Sequence, residues 1–396
     1  MQRPATHRGD SSETPGRLRA LTRVRRTRAL IAVSAGLAVT LFATACAPAA
    51  PPLSTEQQVA QIVQFVENAR GHEFVTTPDV EFLSDAAFRA EVLASVSAAE
   101  ADVDRAQVAF TALGWITPGT DLYEKYKIAF GGGVVGFYDP VTKVLKVRGT
   151  SLTPYRREVI AHELTHALDD QIFDLDDIAP DSLLDEQYFA ALVAIEGSAS
   201  LVQQRYVASM SPLDQIANLS EQLQLGSDPA LLTVPLALLT FTSAPYLRGA
   251  AFQNQLVRTL GNPAGPDQSL TRYPSTAEQA FDTSKYLADE PAVAVAEPPA
   301  DGSVVASGSW GQFLLTLLID NGLALDRVSP ATAGWAGDSY VTWSSGAQDC
   351  FRLDTTMDTA TQTDTLAAAM NDWATLRSGA SVVELNDTTV RLTSCA

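Results

Sequence analysis

The sequence predicts an α+β fold, predominantly helical, and three observations carry that expectation. The composition is that of a globular chain, 46% apolar and 18% charged over 396 residues, long enough to bury a sizeable core. Most apolar residues recur at helical spacing behind recognisable caps, while short alternating or β-branched runs are few. The clearest of those runs make a small β-hairpin just before one helix and a second hairpin at the C-terminus.

Along the chain, the first 45 residues stand apart. They hold eight Arg and two acids, a balance of +6, so the whole-chain charge of −19 leaves −25 for the remainder. Arg17 to Arg28 form a basic region, and Ala29 to Phe42 an uncharged apolar stretch too short for a lasting membrane span. Ala43-Thr44-Ala45-Cys46 then resembles a lipobox. Residues 1–45 are expected to be a lipoprotein signal peptide, with Cys46 acylated and a Pro/Ala tether over 46–53. That location is the extracytoplasmic face of the cell membrane, or the exterior if Cys46 is not acylated. The acidic remainder argues against nucleic acid as a partner, because phosphate binding needs clustered cations. Cys350 and Cys395 are expected to pair in an oxidising exterior.

Residues 54–396 read as one domain with a C-terminal subdomain from about residue 262. Ser54 and Thr55, followed by Gln57 and Gln58, open a helix that runs to Gly71. A strand around Val80 to Leu83 precedes Asp85, read as the cap of one Ala-rich helix to about Leu113. Gly131 to Gly133 lack a following Lys-Ser/Thr and read as a flexible connection, not a phosphate loop. Val134 to Tyr138 and Val144 to Val147, turned at Asp139-Pro140, form the first hairpin, whose edge could align an extended peptide. Thr153-Pro154 opens a helix to about Asp170, and another runs from near Asp185 to about Met210. Leu231 to Leu239 are strongly apolar, and Ala250 to Leu260 read as helix. Residues 262–309, rich in Pro, Asp and Ser, are expected to wrap the surface. Trp310 to Leu318 and Leu366 to Trp373 read as helices, and Val382 to Leu385 with Val390 to Leu392 as the terminal hairpin.

The chemistry concentrates in His162-Glu163-Leu164-Thr165-His166, an H-E-x-x-H motif. Residues four apart on a helix stand one turn above each other, so both imidazoles can reach one ion. Imidazole with carboxylate suits zinc (Zn2+), and Glu163, beside the first histidine, can act as general base. The chain has four His; His7 lies in the signal peptide and His72 far upstream, so a carboxylate must complete the ligand set. Glu196 is the best candidate, a lone acid in an apolar helical stretch flanked by small residues that let helices approach closely. Asp170, four residues beyond His166, reads as an acceptor for a ligand histidine's N–H. For the group that stabilises an oxyanion, Tyr246, Tyr286, Arg205 and His72 all remain open.

Glu158 to Gln171 (EVIAHELTHALDDQ) with Ile195 to Ser200 (IEGSAS) resembles a group of secreted bacterial lipoproteins, gluzincin-like zinc metallopeptidases of largely uncharacterised function. The resemblance extends to Val80–Asp85, Gly136–Pro140, Pro274–Tyr286 and Ala333–Asp338, and so covers roughly residues 75 to 375. It implies a zincin-like metallopeptidase core, with His162, His166 and Glu196 as metal ligands and Glu163 as catalyst. Members usually carry His-Pro where this chain has Asp282-Thr283, which puts a transition-state group, and with it the rate, in question. The expected function is a zinc-dependent peptidase acting on a peptide or protein substrate. Two alternatives fit the same residues: a zinc-binding envelope scaffold without turnover, and a zinc amidase acting on envelope material. Glu163 favours an enzyme, since a purely structural site needs no general base; Asp282 pulls the other way.

Overall fold

Caps and apolar spacing put most helices where the sequence expects them. The computed structural model describes residues 53–175, 184–346 and 348–396; the signal peptide, Cys46 and the tether as far as Pro52 lie outside the described residues. Helix α1 (Thr55–Arg70) opens on a reciprocal cap, Ser54 Oγ accepting from Gln57 N and Gln57 Oε1 from Ser54 N at 2.9 Å. Strand β1 (Asp79–Leu83) follows. The expected long helix to Leu113 is two, α2 (Asp85–Val96) and α3 (Glu100–Ala112), joined by a 3-10 turn at Ser97–Ala99. Ser95 and Ser97 hydroxyls donate to the carbonyls of Val92 and Ala94 there, a local bonding that bends helices. Ser84, not Asp85, is the cap.

The three glycines also differ from expectation. They form the last turn of α4 (Leu122–Gly133), which Asp121 caps at 2.8 Å from Glu124 N. Strands β2 (Gly136–Asp139) and β3 (Val144–Arg148) complete a three-stranded sheet of order β1-β3-β2, with β1 parallel and β2 antiparallel to β3. β2 is therefore an edge. Helix α5 (Pro154–Phe173) packs Ile160, Leu164 and Leu168 into a core with Ile62, Val66, Leu145 and Val147.

Helix α6 (Glu186–Ser209) crosses α5 on one side and α8 (Leu236–Leu260) on the other. The two pieces expected between 231 and 260 are largely this one helix. It continues through the buried Pro245, whose lost N–H is offset by packing along α6. In chain order α7 (Pro212–Gly226), which the sequence reading missed, comes between α6 and α8. Its polar side faces the protein, and Leu213, Ile216, Leu219 and Leu223 are exposed.

Three short helices occupy part of the expected surface wrap: α9 (Ala264–Thr271), α10 (Ala277–Phe281) and α11 (Thr283–Ala288). The rest of the chain builds β4 (Ser303–Gly308), α12 (Gly311–Asp320), α13 (Leu325–Thr332), β5 (Trp335–Ser345), β6 (Gln348–Met357), α14 (Ala360–Thr375), β7 (Ala380–Asn386) and β8 (Thr389–Cys395). Its antiparallel sheet has the order β4-β5-β6-β8-β7. One core joins this sheet to α3, α6, α8, α12 and α14, with Trp310, Trp335 and Trp373 wholly buried. Cys350 and Cys395, opposite each other on β6 and β8, form the expected disulfide.

Candidate metal centre

Thr153 caps α5 and Pro154 fills its first turn. The face at 158, 162 and 166 then points at α6, where Asp185 caps the start and Glu196 sits midway. Their side chains converge. His162 Nε2 lies 3.0 Å from His166 Nε2 and 3.2 Å from Glu196 Oε2, and His166 Nε2 lies 3.4 Å from the same oxygen. The two imidazoles and Glu196 are thus the three expected ligand residues, brought together, and the donor atoms face one point. All three side chains are largely covered, at 8%, 14% and 16% exposed.

Two contacts hold α6 in place. Gly197, next to Glu196, meets Gly249 of α8 so closely that a Cβ would come within 2.5 Å of the Gly249 carbonyl oxygen. Ser198 Oγ donates to Asp169 of α5 at 2.5 Å, and Asp169 also takes the Nε–H of the buried Arg70 at 2.7 Å. The small residues around Glu196 therefore serve the close approach the sequence suggested.

The electrostatics draw positive charge to this point. Burial opposes ionisation of Glu196, but the two imidazoles outweigh it and hold the carboxyl well below its usual range. Burial likewise works against a charged His166, yet Glu196 raises that ring to about 9. Glu163 is 9% exposed, and its Oε2 accepts from the backbone N–H of Tyr138 on β2 at 2.9 Å.

Of the four oxyanion candidates, only Tyr246 is at the centre. Its ring stacks on His162 at 5.7 Å and 27°, and the charge of Glu196, then burial, holds its phenol well above the ordinary value. The residue as a whole is 44% exposed. Tyr286 is buried elsewhere, donating to the carbonyls of Gln268 and Arg272. Arg205 holds the carbonyl of Ala69, and His72 pairs with Asp267 at 3.0 Å. Asp282 caps α11 through Ser284 N at 2.9 Å and Ser284 Oγ.

Asp170 requires a correction. Its Oδ2 accepts from Tyr138 Oη at 2.7 Å and Lys143 Nζ at 2.8 Å, tying α5 to the hairpin. The contact expected of it at a ligand ring is made by Gln203, whose Oε1 lies 2.8 Å from His162 Nδ1. Gln203 stands two turns beyond Glu196 on α6, and that spacing is the signal that could have found it. Tyr188, also on α6, was missed as well; burial, then the charge of Glu196, raises its phenol.

Residues 296–394 match a domain of unknown function, DUF8575. The match takes in the C-terminal sheet and α12 to α14 but none of the triad. No curated protein and no solved structure matches the chain.

Proposed function

We propose that this chain is an extracytoplasmic zinc-dependent peptidase, tethered to the membrane through Cys46. The observation that carries the reading is the spacing of the three donors, 3.0, 3.2 and 3.4 Å. Tetrahedral zinc with nitrogen and oxygen ligands at about 2.0–2.2 Å keeps its donors about 3.3 Å apart, so His162, His166 and Glu196 fit the ion as they stand. Two neutral imidazoles and one carboxylate also match the donor set of catalytic zinc, which leaves one position open.

Bound there, zinc would supply a Lewis acid for the scissile carbonyl and acidify a water toward a pKa of about 7. The protein does the rest. Glu163, whose Oε2 accepts from Tyr138 N–H, would serve as the base that holds the proton of an attacking water and passes it to the leaving amine. Tyr246, whose ring stacks on His162, would donate its phenol hydrogen to the developing oxyanion. The edge strand β2 would give an extended peptide a strand to pair with. The Cys350–Cys395 disulfide suits an oxidising compartment, and no described helix is long and apolar enough to cross a membrane.

Elemental analysis of the purified protein should find about one zinc per chain, and His162→Ala should lose it. Glu163→Gln should keep the metal and stop cleavage of cell-surface proteins in a mass-spectrometric comparison with the parent. Full zinc in His162→Ala would overturn the ligand assignment. Undiminished cleavage by Glu163→Gln would overturn the mechanism.

A further inference from the structure

Behind His162 lies a set of polar contacts that the proposed reaction does not use. Glu158, one turn before His162 on α5 and 4% exposed, accepts from three side-chain amides. Gln203 Nε2 reaches its Oε1 at 2.5 Å, while Asn218 Nδ2 and, at 2.9 Å, Gln222 Nε2 reach its Oε2. The last two come from α7, whose inward side is polar for this purpose.

The chemistry of these groups fixes their direction. A carboxylate only accepts, so Gln203 must turn its NH2 toward Glu158. Its carbonyl oxygen then faces His162 Nδ1, 2.8 Å away. An amide oxygen also only accepts, so Nδ1 must carry the proton, and the lone pair of His162 falls on Nε2. That nitrogen is the one pointing at His166 and Glu196. A flipped Gln203 would set its oxygen against a buried carboxylate and its NH2 against the ring N–H.

We infer that Glu158 is a positioning residue which, acting through Gln203, sets the tautomer and orientation of His162 and thereby the affinity of the site for zinc. The inference rests on reading the triad as a zinc site. The carboxylate that usually backs a ligand histidine directly is here one amide removed, and α7 holds it there.

The test measures the zinc dissociation constant of the full-length protein by competition with a chromophoric chelator, with thermal melts to establish folding. Gln203→Met and Glu158→Gln should each weaken zinc binding about 10- to 100-fold. The double variant Glu158→Gln/Gln203→Glu exchanges the two groups, with the carboxylate now on the ring and the amide behind it. It should recover affinity to within a few-fold of the parent, and the Co(II) absorption spectrum should return with it. If Gln203→Met does not fold, Glu158→Gln and the exchange carry the test alone. A folded single variant that binds zinc like the parent, or an exchange that recovers nothing, overturns the inference and leaves the zinc-site reading standing. A parent protein that binds no zinc overturns that reading itself.

Discussion

Tyr246 is the residue whose role can be separated most cleanly from metal binding. Its ring stacks on His162 without ligating anything, and its hydroxyl is held beside Glu196. Tyr246→Phe keeps the stack and removes one donor, so kcat should fall by about 100-fold with zinc content unchanged, as for other oxyanion donors. Loss of zinc in that variant would mean the phenol supports the ligands instead. The residues that were legible in the sequence are those whose chemistry shows through spacing or charge. His162 and His166 were readable because i, i+4 puts two rings on one helix face, and Glu196 because a lone acid among apolar neighbours needs a partner. Gln203 was harder to read, because a neutral amide carries no charge to single it out and only its spacing two turns past Glu196 marks it. Asp170 lies four residues past His166, but β2 crosses that end of α5 and Tyr138 and Lys143 claim it; no local pattern reveals a neighbour from another element.

At the scale of elements, the position of Glu196 depends on how closely α6 can lie against α8. Gly197 and Gly249 meet backbone to backbone, where a Cβ has no room. Gly197→Ala should cost about 1–3 kcal/mol of stability, the usual range for overpacking, and should weaken zinc binding by moving the adjacent Glu196. Denaturant melts and the chelator competition measure both. Helices α5 and α6 were readable because their caps and first turns are explicit: Thr153-Pro154 and Asp185. Helix α7 has helical spacing, but its apolar side faces solvent and its polar side grips Glu158, an inversion that burial-based reading does not anticipate. Strands β5 and β6 were hidden for a related reason. Asp338, Thr342, Asp354 and Thr355 are buried in them, which breaks the alternation that marks a strand.

For the molecule as a whole, the predominantly helical α+β class was legible from caps and periodicity, and the C-terminal sheet only from its last hairpin. Two of its four pairings, β4 with β5 and β6 with β8, join strands far apart in sequence, with β8 returning to lie between β6 and β7, and order of that kind leaves no local trace. The disulfide fastens this arrangement. Cys350 and Cys395 are separated by 45 residues, and a cross-link over a loop of that length stabilises by about 4 kcal/mol in the chain-entropy model. The paired substitution Cys350→Ala/Cys395→Ala should lower the melting temperature measurably while leaving zinc content unchanged. An unaltered melt would mean the sheet holds its tail without the cross-link.

The edge strand β2 beside α5 has a consequence for how a chain could be received there. Its outward amide at Tyr138 is already engaged by Glu163, so a guest backbone finds that docking position taken. A carbonyl arriving opposite Tyr138 can bond only if the carboxylate gives up its hold. On the proposed peptidase reading, a guest strand in that register therefore competes with Glu163 for one amide.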